Sequence, residues 1–487
     1  MTRRIIDQGS AQPGRIHSTA FGMVVRPRAP SAGASGTHGA ASAQDSSDEP
    51  PAKRPFYTII NAGLLIPGDG KPQKKAALVI EDKKIAWVGP AAMTPVKYTS
   101  GAHRQFKIPY VMPGLWDVHA HFGGEPFDAS PEGGNFDEIF SQHPAVAGAR
   151  LTRGCWEAIQ RGYTSLRDVA GYGCELSKAI EDGTISGPNV YSAGACLSQT
   201  AGHGDLFNLP AGDVQLNHGV NSAQPGHWGS SMSLLVDGID DCRRGVRLQI
   251  RRGAKCIKVF ASGGVLSLDD DPLYAQFSPE ELKCIVEEAG RLGRLVAAHV
   301  HGKPGIMNAV NAGVGTVEHV SFADEECIEL IKKKGTVYVA TRTIVDELLK
   351  GGGKGLTPYQ WEKAQLCGSH HQKAYKMAIK AGVPIALGTD TPPGFNMAME
   401  LDHAVQAGMT PLEAIKAATA NGPLSVGRMA PKSGQIKEGY DADILGLLDN
   451  PAEDVKVLQD KQNVGWVWKG GRLLKGPGIG PWGEDPL

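Results

Sequence analysis

Val111-Met112-Pro113-Gly114-Leu115-Trp116-Asp117-Val118-His119-Ala120-His121-Phe122 is a largely apolar run that carries two histidines at i and i+2 and then breaks at Gly123-Gly124. A run of this kind reads as a strand buried on both faces, the habit of parallel sheets. Side chains alternate along a strand, so His119 and His121 share one face. A divalent ion at the strand end can take both; the plainer reading packs one imidazole in the core and leaves the other in solvent. What the other strands end in decides between them.

Beyond this stretch, strand and helix signals alternate. Tyr163–Val169, Asn189–Gly194, Cys256–Phe260, Leu295–His301, Thr316–Val320, Val337–Thr341 and Pro384–Asp390 bring the number of strand-like runs to eight. Amphipathic stretches separate most of them, such as Ser278–Ala289 with Ser278 as N-cap and Pro279 at the first helical position. Eight strands with crossover helices predict an α/β fold, a (β/α)8 TIM barrel, over residues 111–425. The span 195–250, rich in His, Gly, Asn and Pro, reads as a long loop over the barrel mouth.

Short β elements lie on both sides of this middle. Tyr57–Gly70 reads as strand, turn and strand, followed by Ala77–Ile80 and Lys84–Gly89; Ala442–Leu448 and Val464–Leu474 have the same character. They predict a small flanking β-sandwich domain built from both chain ends, residues 55–110 and 426–487. Residues 1–54, rich in Ser, Ala, Gly and Pro without hydrophobic periodicity, read as a disordered arm. Its first half carries Arg3, Arg4, Arg15, Arg26 and Arg28, which leaves organelle targeting open, and it has no apolar segment of the secretory kind.

Composition narrows the partners. In 487 residues, 50 basic and 51 acidic side chains nearly cancel, leaving no footprint for nucleic acid or an anionic membrane. No run approaches the roughly 18 consecutive apolar residues of a membrane span. The 8 cysteines are scattered with no Cys-x-x-Cys pair, which suggests reduced thiols and a cytoplasmic protein. The expected partner is a small-molecule substrate.

In a barrel the active site sits at the C-terminal strand ends. There the sequence places His119 and His121 on strand one, Lys258 on strand four, His299 on strand five, His319 on strand six and Asp390 on strand eight. Each sits in or at the end of an apolar run, where an unpaired polar group is costly. Four imidazoles and a carboxylate exceed the four-coordinate demand of one zinc and predict two divalent metal ions, Zn2+ first, with Mn2+, Co2+ or Fe2+ as alternatives. An ammonium has no lone pair for a metal. Lys258 becomes intelligible as N6-carboxylysine, a carbamate formed with carbon dioxide that can bridge both ions; the competing reading is a snorkelling or salt-bridged lysine.

These motifs, from Pro113–His121 through Ile257-Lys258-Val259-Phe260-Ala261-Ser262-Gly263-Gly264, Ala298–Gly302, Glu318-His319 and Gly388-Thr389-Asp390, resemble the binuclear, carbamylated-lysine branch of the amidohydrolase superfamily. The resemblance runs from about residue 55 to the C-terminus. It implies that His119, His121 and Asp390 hold the more buried ion, that His299 and His319 hold the other, and that carbamylated Lys258 bridges them. It further implies that a hydroxide shared by the ions attacks the scissile carbonyl, with Asp390 moving the proton to the leaving amine. The implied reaction is hydrolysis of the amide bond of an N-acyl aromatic amino acid, and the implied assembly a homo-oligomer. Prolidase-type or carboxypeptidase-type cleavage by the same scaffold stays open, as does an inert scaffold protein, although no ligand position is lost.

Substrate contacts are expected from the loops. His203 follows strand three, and His301 shares a strand face with His299; both can hydrogen-bond a carbonyl or carboxylate, or serve as structural histidines. Arg342, just past strand seven, can pair bidentately with a carboxylate or form a local salt bridge. Gly263 would let backbone approach the ligand. Trp228 and Tyr274 read as packing residues or aromatic walls.

Overall fold

The computed structural model describes residues 56–125, 142–205, 207 and 232–484; the arm at 1–54 and Trp228 lie outside them. The N-terminal part supplies β1 (Tyr57–Leu65), β2 (Gln73–Glu81), β3 (Lys84–Pro90) and β4 (His103–Pro113). Tyr57–Leu65 is one unbroken strand, where the sequence suggested a strand and a turn. The cause is Gly63: a Cβ there would stand 2.7 Å from the Pro109 carbonyl oxygen, so the glycine admits the parallel neighbour β4 instead of making a turn.

β4 leads through Gly114 directly into β5 (Leu115–Phe122), which pairs in parallel with β6 (Tyr163–Gly171), and β6 pairs with β7 (Asn189–Val190). A six-stranded parallel sheet follows, from β8 (Cys196–Ser198), β9 (Ser233–Leu235), β10 (Ile257–Phe260), β11 (Val296–Val300), β12 (Thr316–His319) and β13 (Val337–Val339), in the order β13-β12-β11-β10-β8-β9. Strands β8 and β10 to β13 are buried throughout or nearly so, as strands covered on both faces must be, while the edge strand β9 is only half-buried. Helices cover them, among them Pro279–Arg291, where Ser278 and Glu281 form the capping box that the sequence announced in part. The span read as a long loop holds, among the described residues, β8, β9 and the helix Gly238–Arg252.

Pro384–Asp390, read as an eighth strand, is present only through isolated parallel bridges, Ile385 to Tyr338 of β13 and Thr391 to Ala120 of β5. Two local features interrupt the ladder. A Cβ at Gly388 would lie 2.6 Å from His119, and Asp390 has a φ of 62°. Even so, Val118 donates its N–H to the Leu387 carbonyl at 3.0 Å and Asp390 donates to the His119 carbonyl at 2.7 Å, so the segment is tied to β5.

The C-terminal part adds β14 (Ile444–Leu447), β15 (Val464–Lys469) and β16 (Arg472–Lys475). Both chain ends meet in one seven-stranded sheet of order β16-β15-β14-β4-β1-β2-β3. Leu78 and Ile80 of β2 share a buried cluster with Ile444, Trp468 and Leu473, and Gly471 donates to the Ala442 carbonyl at 3.0 Å. The sheet grips Pro113 through Ile444, immediately before the strand that carries His119 and His121. No described helix is long and apolar enough to cross a membrane.

Candidate active site

Because β5, β6 and β10 to β13 run parallel, their C-terminal ends open on one side, and the polar residues singled out in the sequence come together there. His119 and His121 do share a face, with ring centroids 5.3 Å apart. His119 lies 5.0 Å from His319, His319 lies 4.5 Å from His299, and His299 lies 4.7 Å from His301 and 4.5 Å from His203. Lys258 Nζ is 3.3 Å from His119 Nε2. Asp390 Oδ1 is 2.8 Å from His121 Nε2 and 3.4 Å from His119 Nε2.

The backbone is strained where these groups are presented. His319, Thr341 and Asp390 have φ values of 70°, 54° and 62°. Left-handed conformations at non-glycine residues cost on the order of 1–3 kcal/mol each and persist only where surrounding packing enforces them.

Each ligand-type histidine is turned by its second nitrogen. His119 Nδ1 donates to Glu318 Oε2 at 2.8 Å, and His121 Nδ1 donates to the Ala170 carbonyl at 3.3 Å. The Thr341 hydroxyl gives its proton to the Ala340 carbonyl, so it accepts from His319 Nδ1 at 2.7 Å. His119 and His319 therefore keep the Nε2 lone pair free, whereas His121 Nε2 faces Asp390 Oδ1 at 2.8 Å. His299 is the reverse: Nε2 donates to the Gly263 carbonyl at 3.3 Å, which leaves Nδ1 for a ligand. Fixing a ring through its far nitrogen is what a metal-binding imidazole requires.

Electrostatics follow from burial and neighbours. Burial would raise the Asp390 carboxyl, but His119 and His121 beside it hold it well below the usual carboxylate range. His121 is raised because its bond to Asp390 outweighs burial. Burial lowers the Lys258 amine, with Glu318 opposing. Burial, reinforced by neighbouring imidazoles, holds His299 and His319 well below their ordinary value.

As a donor set these residues fit divalent ions. One ligand atom each from His119, His319 and Asp390 lies within 4.8 Å of the others, and further imidazoles adjoin. The expected division gave His319 to the other ion with His299. The two rings are neighbours, so the two ligand groups share a wall.

The expected substrate contacts take distinct places. His203 stacks on His299, and His301 stacks on His319 at 5.1 Å with Nδ1 on Ser321 Oγ at 2.8 Å. Arg342 opens the helix Arg342–Lys350; its Nη2 lies 3.6 Å from Asp346, while its buried Nη1 has no hydrogen-bond partner among the described residues. Gly263 uses its N–H on the Tyr274 carbonyl at 3.1 Å and its carbonyl on His299, so its backbone serves the site's walls. Tyr274 is 69% exposed, which removes it from core packing.

Two strand residues to which the sequence assigned no role, Arg167 and Glu318, prove central. Arg167, fully buried, donates from Nη2 to Glu318 Oε1 at 2.7 Å and also bonds Val118 and Ser425 carbonyls. Glu318 in turn holds His119. The available signal was a charge at an interior position of an apolar strand, which demands a buried partner.

Residues 110–474 match the Amidohydrolase family. The ochratoxinase of Aspergillus niger is 61% identical over 429 residues, covering 88% of this chain and 88% of that protein. The crystal structure of A. niger ochratoxinase is similar with a TM-score of 0.84 at 60% identity, covering 88% of this chain and 98% of that one. A prolidase crystallised with N-methylphosphonate-L-proline is similar with a TM-score of 0.75 at 28% identity, covering 86% and 99%. The chain belongs to the amidohydrolase family, a hydrolase whose relatives include ochratoxinase.

Proposed function

We propose that this amidohydrolase is a two-metal amidase that cleaves the amide bond of an N-acyl aromatic amino acid, converting ochratoxin A to ochratoxin alpha and phenylalanine. The observation that carries the reading is the convergence of His119, His121, Lys258, His299, His319 and Asp390 at one set of strand ends, in a chain 61% identical to ochratoxinase. Under this reading the architecture is a (β/α)8 barrel over residues 111–425 with a flanking β-sandwich from 55–110 and 426–487. The bridges of residues 385 and 391 to β13 and β5 support closure, and the shared core of β2 with β15 and β16 supports the sandwich.

His119, His121 and Asp390 would hold the deeper ion and His299 and His319 the other, with Lys258 as N6-carboxylysine between them. Burial that lowers the Lys258 amine favours the neutral form, the form that adds carbon dioxide. When bound, such ions supply an activated water and polarise the scissile carbonyl. Asp390 accepts the proton of the attacking water and passes it to the leaving nitrogen. Arg342 meets the substrate carboxylate: its buried Nη1 lacks an acceptor among the described residues, a deficit that a bound carboxylate would remove. His203 and His301 line the site beside His299 and His319.

A second reading, a prolidase-type dipeptidase, is favoured by the likeness to the prolidase structure. The two separate in one assay. Ochratoxin A, a panel of N-acyl amino acids and a set of Xaa-Pro dipeptides are incubated with the metal-loaded protein and the released amino acid is measured. Fastest release of phenylalanine from acylated substrates, about two ions per chain, and background turnover by a folded Lys258→Ala variant are expected. Near-normal turnover by Lys258→Ala would remove the bridging carbamate, equal rates across the panel would remove the aromatic preference, and faster Xaa-Pro cleavage would establish the dipeptidase.

A further inference from the structure

Behind His203 lies a second buried ion pair that the reaction as described does not use. Lys363, on the helix Pro358–Ala381, is 2% exposed, and Asp270, in the segment after β10, is 8% exposed. Lys363 Nζ donates to Asp270 Oδ1 at 3.2 Å, to the Asp270 carbonyl at 3.0 Å and to the Ser267 carbonyl at 2.7 Å. Asp270 Oδ2 accepts from Gly264 N at 2.9 Å and from Gln276 Nε2 at 3.2 Å. Taking two charges out of water costs several kcal/mol per ion, so a pair of this kind is weak evidence for stability and asks for another reason.

The reason stands at the far end of the network. Ser267 Oγ is bonded to Asp270 Oδ1 and lies 3.3 Å from the Gly264 carbonyl. Both neighbours only accept, so the hydroxyl proton is committed to one of them and Oγ must accept from His203 Nδ1, 2.8 Å away. The His203 backbone N–H is held by Gln276 Oε1 at 3.0 Å. Its ring lies against Gly264, where a Cβ would stand 2.2 Å from Cε1, and against His299 at 4.5 Å, with Phe260 edge-on at 4.8 Å. The ring is clamped on every side except the Nε2 edge, which has no hydrogen-bond partner among the described residues.

We propose that Lys363, Asp270 and Ser267 are positioning residues that act on the hydrolysis through His203, fixing its ring against His299 with Nδ1 protonated and Nε2 presented to the substrate. This rests on the amidase reading, in which His203 lines the substrate site. The helix Pro358–Ala381, the second after β13, thereby sets a histidine that follows β8, by way of the segment after β10.

The test is a cycle of Ser267→Ala, His203→Ala and the double variant in the metal-loaded protein, with Ser267→Thr as the conservative control. Ser267→Ala should lower kcat/KM roughly ten- to a hundredfold, the scale of a misplaced group, with metal content at the parent's value and the protein still folded. Ser267→Thr should recover most of the loss, and the double variant should be no worse than His203→Ala. Activity of Ser267→Ala within twofold of the parent, or losses that multiply in the double variant, would overturn the proposal. A second measurement needs no turnover: long-range 1H–15N spectra of histidine-labelled protein, with His203 assigned by its absence in His203→Ala. The Nδ1–H tautomer should dominate in the parent and give way to a mixture in Ser267→Ala. An Nε2–H ring in the parent, or an unchanged pattern in the variant, counts against the relay. If the parent hydrolyses no acylated amino acid, the amidase reading fails and the spectra still judge the relay.

Discussion

His119 and His203 stand on opposite sides of the same histidine cluster, and each is backed by a carboxylate that is itself backed by a buried cation. Behind His119 the carboxylate touches the ring directly, Glu318 on Nδ1, with Arg167 behind it. Behind His203 a hydroxyl intervenes, Ser267 between the ring and Asp270, with Lys363 behind. A carboxylate on Nδ1 makes an imidazole more electron-rich, which suits a metal ligand. The Ser267 hydroxyl orients the ring while the Asp270 carboxylate stands farther off, its Oδ2 3.6 Å from His203 Nδ1, which suits a group that faces substrate. The cations differ to match. The Arg167 fork reaches Glu318, Thr316 and two backbone carbonyls at once, whereas Lys363 pins one loop from a single point charge.

The largest effect should come from breaking the direct brace. Glu318→Ala leaves Arg167 buried without its acid, a change that costs about 3–5 kcal/mol, and frees the His119 ring, which should weaken metal binding about 10- to 100-fold. Urea unfolding and metal analysis of the same preparation measure both losses. If stability falls while metal affinity is kept, Glu318 serves the core alone and the comparison breaks.

Lys363→Met should cost less, toward about 3 kcal/mol, because Asp270 keeps Gly264, Gln276 and Ser267 as donors. Metal content should hold and kcat/KM should fall, the opposite order of damage to Glu318→Ala. Calorimetry and steady-state kinetics on one preparation decide it. Loss of metal in Lys363→Met would erase the distinction between the two sides.

How far the sequence foretold this arrangement depends on what kind of signal each residue leaves. His119, His121, His299 and His319 interrupt apolar strands at or near their ends, and period two together with the strand count suffices to bring them together. The glycine in Tyr57–Leu65 misled, because a glycine that lets a backbone approach looks the same in sequence as one that turns the chain. The eighth strand was legible as an apolar run, yet Gly388 and Asp390 break its ladder for the sake of contact with His119. The His203 network left least trace. Ser267, Asp270 and Lys363 lie in a loop and on a helix nearly a hundred residues apart, with no periodicity linking them. Only tertiary contact makes them one device.

Acid should separate the two sides by the smallest but most graded effect. Burial, with His203 and His371 nearby, pushes His301 down to about 3, and His299 and His319 are lowered too. An unfolded histidine titrates near 6.5. Between that value and the folded one the unfolded chain binds more protons, so the contribution of these rings is complete above about pH 6.5 and is lost as pH falls toward about 3. The direct brace behaves differently over the same window. Burial opposes ionisation of Glu318, but Arg167 and His119 hold its carboxyl well below the usual range, so its contribution stays while the outer rings are losing theirs. Urea unfolding of the metal-free protein between about pH 7.5 and 5 should therefore show a falling midpoint. His301→Gln should flatten the slope by up to about 1.4 kcal/mol per pH unit, one proton's share, without abolishing it, since His299 and His319 still contribute. A midpoint that does not move over this range would mean that the outer histidines are not held neutral by burial.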